Sequence, residues 1–203
     1  NIKRTGQDNH NLNGKTINAK LSAISKYNEL MQPDNLVISK VDFIKIQENS
    51  INPTEVTRED VERFRQGILQ SEGTHAIRNY TIVTVMMYTG LRISEVLRLK
   101  RTDVNTVSGE IRVTDGKGEK QRIVVMNSKV IEAINEYRRH YNKEDTDLLF
   151  YNAKGKSLDR TAINKVFWEN AIKGKNITPH TLRHYFCSSA LEAGYTIAEV
   201  AML

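Results

Sequence analysis

The densest group of residues able to do chemistry is the run Thr178-Pro179-His180-Thr181-Leu182-Arg183-His184. Proline is at home in the first turn of a helix, and spacings of three and four then put His180, Arg183 and His184 on one helical face. Two histidines four apart are also a zinc spacing. The metalloprotease version needs a Glu directly after the first His, however, and Thr181 stands there. A guanidinium between the two rings would also repel a divalent cation. An imidazole beside a permanently charged guanidinium suits a phosphate instead, the fork holding oxygens and the ring moving a proton. The plainer alternative is a solvated basic pair near a helix start.

Two further runs carry charged groups at suggestive spacing. In Thr89-Gly90-Leu91-Arg92-Ile93-Ser94-Glu95 an arginine follows a glycine break, and Glu95 can face Arg92 on one turn and hold its guanidinium. Taken alone, this run reads as a surface ion pair of small energetic value. Lys154-Gly155-Lys156-Ser157 has the outline of a phosphate-binding loop, but the full pattern needs a Gly where Phe150 stands. It reads as a turn followed by a Ser helix cap, and nucleotide hydrolysis is set aside.

The elements that must position these groups follow from periodicity. Ile17, Leu21, Ile24 and Met31 recur at helical spacing. Residues 32–53, with Pro33 and Pro53, read as a turn-rich linker, and a domain boundary is expected near Pro53. Thr57 and Asp60 cap a helix carrying Val61, Phe64 and Ile68. An apolar helix over 76–88 breaks at Thr89-Gly90, and a second is predicted over Ile93–Leu99, with Arg92 at the junction. The period then changes to two. Ile111 and Val113, the turn Asp115-Gly116-Lys117-Gly118 and the run Ile123–Val125 make a β-hairpin with a lysine at its tip. Ser128 is expected to cap a helix with Ile131, Ile134 and Tyr137, Leu148–Tyr151 to form a short strand, and 159–172 another helix. Ile163, Val166, Phe167 and Trp168 are expected in the core. The fold class is mainly α with one small antiparallel sheet (α+β).

The chain of 203 residues is 39% apolar, enough for a core, and carries a net charge of +6. Its basic residues are spread along the chain, as suits a folded surface facing a polyanion, so nucleic acid leads membrane as partner. The single Cys187 permits no intramolecular disulfide, and no apolar run approaches a membrane span. A cytoplasmic setting is expected, and a polar start without Met suggests that the chain begins inside a longer protein.

Thr-Gly-Leu-Arg-Ile-Ser-Glu at 89–95, a hairpin with Gly-Lys-Gly at 116–118, and His-Thr-Leu-Arg-His at 180–184 occur in one order and spacing. Together they resemble the catalytic domain of the tyrosine recombinases, the phage and transposon integrases and their relatives, over roughly 56–203. The resemblance implies that Arg92 and Arg183 clamp the non-bridging oxygens of a scissile phosphate. It implies that His180 is an acid/base and phosphate ligand and that Lys117 protonates the leaving 5′-oxygen, with Lys120 as the nearby alternative. Glu95 and His184 would orient the others. Lys120, Arg122, Arg160, Asn164 and Lys165 would contact DNA, the last three from a helix resembling the family's groove-entering element.

The same resemblance makes residues 1–53 part of a helical DNA-clamping arm with its linker, and 54–203 a catalytic domain without its C-terminal part. The implied partner is double-stranded DNA bearing an inverted-repeat site, with a homo-tetramer on paired sites. The implied reaction passes through a covalent 3′-phosphotyrosyl intermediate and needs no cofactor, neither metal nor ATP, because the phosphotyrosine conserves the bond energy. Neither Tyr185 nor Tyr195 stands at the family's nucleophile position, so that tyrosine is expected beyond Leu203 and the chain as it stands is expected not to cleave. A regulator that keeps the fold without the reaction, or a type IB topoisomerase-like enzyme, are the alternatives.

Overall fold

The computed structural model describes residues 14–31, 56–114, 121–142 and 145–201. The chain divides into two units, Asn1–Ile51 and Asn52–Leu203. In the first, helix α1 covers Gly14–Met31. Burial along it follows Ile17, Leu21, Ser25 and Asn28, whereas Ile24 and Met31 are exposed. Helical spacing therefore identified the element, but two overlapping stripes share Ile17 and Leu21, and spacing cannot choose between them.

The second unit is assembled around a buried helix. Helix α2, Arg58–Gln70, opens with a reciprocal cap: Asp60 N–H donates to Thr57 Oγ1 at 3.2 Å and Thr57 N–H to Asp60 Oδ2 at 3.0 Å. Helix α3, Ala76–Thr89, is buried on nearly every side, from Thr81 through Met87. Such an element must sit at the centre of a core, and α2, the later helix Ser128–His140 and the helix Pro179–Glu192 all pack on it. Its buried threonines 81, 84 and 89 satisfy their hydroxyls by donating to carbonyls one turn back.

Gly90 ends α3 in the left-handed conformation, φ 65°, and helix α4 follows as Ile93–Val96. It is shorter than the predicted Ile93–Leu99. Beyond Val96 the Leu99 carbonyl accepts from Leu149 N–H at 2.8 Å, and Lys100 bridges Leu148, so the backbone is drawn out of the helix. The antiparallel sheet has the order β1-β2-β3, with β1 Val104–Asn105, β2 Glu110–Thr114 and β3 Gln121–Val125. Val113 pairs with Arg122 and Ile111 with Val124.

Helix α5, Ser128–His140, is capped by Asn127 rather than by the expected Ser128: Val130 N–H donates to Asn127 Oδ1 at 3.1 Å. The expected strand at 148–151 is instead two isolated bridges, Lys100 to Leu148 and Tyr151 to Ser157, which bury Leu149, Phe150 and Tyr151 without a ladder. Ser157 is thus held in a bridge and does not cap a helix; Asp159 caps α6, Arg160–Glu169, which ends before the predicted residue 172. Ile163 and Phe167 are buried, but Trp168 is 78% exposed, one helical step past the buried stripe, and does not belong to the core. Helices α7, Pro179–Glu192, and α8, Ile197–Ala201, complete the unit. Among the described residues no helix is long and apolar enough to cross a membrane.

Candidate functional site

The turn between α3 and α4 carries the first candidates. Arg92 stands at the N-cap of α4, and three residues on the carboxylate of Glu95 turns back to it. Arg92 N–H donates to Glu95 Oε2 at 2.7 Å and Arg92 Nη1 to Glu95 Oε1 at 3.2 Å. The pair is unlike an ordinary surface bridge, because the Glu95 side chain is only 3% exposed while that of Arg92 is 59% exposed. Its carboxylate is fixed from below and the guanidinium presents its remaining donors outward.

Arg122 completes the surroundings of that carboxylate from β3, its Nη2 lying 2.9 Å from Glu95 Oε2. Burial alone would raise the Glu95 carboxyl, but the hydrogen bond from Arg122, the Arg92 N–H and the two cations outweigh it and hold the group below the ordinary carboxylate range. This contact was not foreseen from the sequence. The signal was present, since alternation along β3 points Arg122 the same way as buried Val124.

Helix α7 brings in the other motif. Thr178 caps it, Pro179 occupies its first turn, and the Arg183 guanidinium donates to the Gly90 carbonyl. The ring of Phe186 fills the space beside Gly90, and a Cβ there would overlap it. The left-handed φ and this close approach both require glycine, and together they hold the α3–α4 turn against α7. Burial first, and then the Arg92 cation, lower the Arg183 guanidinium from its ordinary value, so Arg92 and Arg183 belong to one cluster. Among the described residues Arg183 forms no ion pair with a carboxylate.

His180 and His184 lie one turn apart on the exposed side of α7, Nε2 to Nε2 at 2.8 Å. At that distance one nitrogen must donate and the other accept, so the pair functions with at most one of the two facing nitrogens protonated. Burial, then His180 and Arg183, lower the His184 imidazole from its ordinary value, which favours the neutral ring there.

The remaining candidates stand apart from this contact set. Lys117 and Lys120 lie outside the described residues. Arg160, Asn164 and Lys165 are exposed along α6, with Lys165 Nζ 3.5 Å from Glu169. A groove of about 640 Å³ is lined by Arg65, Tyr80, Lys129 and neighbours and includes none of the candidate residues. Arg92 and Arg183 therefore gather positive charge beside one buried carboxylate, which Arg122 also meets, and the two histidines are exposed on the helix that carries Arg183. Preorganised donors in that arrangement can hold a phosphodiester and stabilise the extra negative charge of its five-coordinate transition state.

Comparison with known proteins covers the part of the chain that carries these residues. The Phage integrase family matches residues 55–203. The chain is 42% identical over 200 residues to the TnP I resolvase of Bacillus thuringiensis, covering 94% of this chain and 68% of that protein. It is 40% identical over 131 residues to tyrosine recombinase XerD of Staphylococcus saprophyticus, covering 61% of this chain and 44% of that one, less than half its length. In architecture it is similar to the Tn1549 transposon integrase in complex with a circular intermediate DNA, with TM-score 0.77 at 18% identity over 95% of this chain and 71% of that one.

Proposed function

The chain belongs to the phage integrase family, the tyrosine recombinases, and we propose from that premise that it cuts and rejoins DNA strands at a defined inverted-repeat site. The observation that carries this reading is the Arg183 contact with the Gly90 carbonyl, which sets its guanidinium beside Arg92, while His180 and His184 are exposed on the same helix. Arg92 and Arg183 take the non-bridging oxygens of the scissile phosphate. A tyrosine oxygen attacks phosphorus, the bond from phosphorus to the 5′-oxygen breaks, and Lys117 supplies the proton to that oxygen. His180 contacts the phosphate and manages a proton, while Glu95 and His184 hold their neighbours in place. Rejoining is the reverse, so neither metal nor ATP takes part.

The attacking tyrosine is proposed to lie beyond Leu203. The Tyr88 hydroxyl donates to Glu62 and that of Tyr141 to the Thr74 carbonyl, Tyr137 is buried, and Tyr185 packs against the core. Lys120, Arg160, Asn164 and Lys165 contact the duplex, with residues 1–53 contributing part of the arm that clasps it, and four copies act on two paired sites in the bacterial cytoplasm. The likeness to TnP I resolvase favours resolution of joined DNA over integration.

The test uses the full-length protein and a nicked suicide version of its site. A protein–DNA band that survives denaturing gels is expected, lost when the tyrosine beyond Leu203 becomes Phe. A band mapping to Tyr185 or Tyr195 would overturn the placement of the nucleophile. Site-specific binding with no covalent band would leave a DNA-binding regulator, and relaxation of any supercoiled DNA a topoisomerase.

A further inference from the structure

Three guanidinium groups approach one region, and they are not alike. Arg92 is 59% exposed at its side chain and Arg122 only 21%. Sequence alone groups Arg122 with the DNA-contacting residues, yet its guanidinium is turned inward: Nη2 rests on Glu95 Oε2 at 2.9 Å. Its Nε is buried and has no hydrogen-bond partner among the described residues. A side chain so placed has little to offer a duplex and much to offer Glu95.

Glu95 holds Arg92 at two points, the backbone N–H and Nη1. A buried carboxylate with one cationic partner would bind that partner as tightly as it could, or take up a proton and release it. Either outcome harms a residue that must offer its outer donors to a phosphate. A second cation that stays put removes the conflict, because Glu95 remains charged without drawing Arg92 inward.

We propose that Arg122 is a positioning residue that neutralises Glu95 from β3, so that Glu95 orients Arg92 while leaving its donors available to the scissile phosphate. The proposal rests on the phosphate-clamp reading of Arg92. It also ties the base of the hairpin to the Gly90–Arg92 turn, since Arg122 is the second residue of β3 and Glu95 the third of α4.

The experiment measures single-turnover cleavage of a suicide duplex by the full-length recombinase at saturating protein, with DNA affinity and thermal melting recorded for each variant. Arg122→Gln is expected to slow cleavage about 30-fold, as for loss of one preorganised donor's support, with DNA affinity within about threefold of the parent. Arg122→Lys keeps the charge and is expected to recover about tenfold of that loss. In an Arg92→Lys background, where the clamp is already impaired, Arg122→Gln is expected to add less than about threefold, because the two act as a unit. Parental cleavage by Arg122→Gln, a loss of affinity equal to the loss of rate, or the full 30-fold loss repeated in the Arg92→Lys background would each overturn the proposal. Should Arg122→Gln fail to melt cooperatively, Arg122→Lys alone is read in both Arg92 backgrounds, with equal losses in the two overturning it. Parental cleavage by Arg92→Lys would instead overturn the clamp reading itself.

Discussion

The clusters around Glu62 and Glu95 both set basic side chains against a single carboxylate, and they close their charge differently. Glu62 takes Arg65 Nη2 at 2.6 Å and Nε at 3.0 Å on one oxygen, and the Tyr88 hydroxyl at 2.6 Å and Lys129 at 3.3 Å on the other. Arg65, 6% exposed, lies over the Tyr80 ring at 4.9 Å, and its Nη1 reaches Thr84. Each cation there meets the carboxylate, and Arg65 is also covered by an aromatic face, so the cluster needs nothing from outside. Around Glu95 there are three guanidinium groups for one carboxylate, Arg92 is open to solvent and Arg183, among the described residues, donates to a backbone carbonyl and pairs with no carboxylate. Like charges gathered at a surface without compensation repel one another, and an anion held there would offset that repulsion. The same residue types thus hold α2, α3 and α5 together in one place and, on the proposed reading, are set out for a phosphate in another.

Four changes would break or sharpen that contrast. The largest effect is expected from Arg183→Lys in the full-length protein: single-turnover cleavage falls about 100- to 1,000-fold, as for loss of a transition-state donor. DNA affinity and unfolding midpoint stay near the parent's. An unchanged cleavage rate would remove Arg183 from the clamp. Arg65→Met tests the closed cluster and is expected to do the reverse. Urea unfolding should show a loss of about 3 kcal/mol, since Glu62 and two aromatic faces lose a buried partner, while cleavage per folded molecule is unchanged.

Gly90→Ala acts on the seam between the two roles. Its left-handed φ and the Phe186 contact together should cost about 2 kcal/mol of stability. Unlike Arg65→Met, it should also slow cleavage beyond the loss of folded protein, because α7 and Arg183 must shift.

The smallest effect concerns acid. Lys175, and then the Thr57 N–H and hydroxyl, hold the Asp60 carboxyl down from 3.8 to about 2. A depressed carboxylate contributes its stability in full above the ordinary value and loses it as pH falls through the lowered one. Melting temperatures taken between pH 4 and pH 2 should therefore fall less steeply for Asp60→Asn than for the parent; parallel curves would show that the Asp60–Lys175 pair, 2.9 Å apart, carries no such weight.

What could be read from the sequence was local. The Thr57–Asp60 and Thr196–Glu199 caps, the helical face shared by His180, Arg183 and His184, and the alternation of Ile111 and Val113 depend on groups within a few residues of one another. Backbone geometry alone brings such groups together, so residue type and spacing suffice. The caps at Asn127 and Asp159 were misplaced because neighbouring polar residues compete for the same N–H groups, and the choice depends on where the preceding chain is drawn.

The tertiary structure decided the rest. That Arg183 reaches the Gly90 carbonyl, that Arg122 rather than Arg92 alone answers Glu95, that Trp168 faces solvent, and that 148–151 makes bridges and no strand all depend on how α3, α7 and the hairpin pack. Contacts across tens of residues are selected by burial of the whole core, in which every pairwise spacing must be met at once. The motifs supply the charged groups; the fold determines which of them face outward.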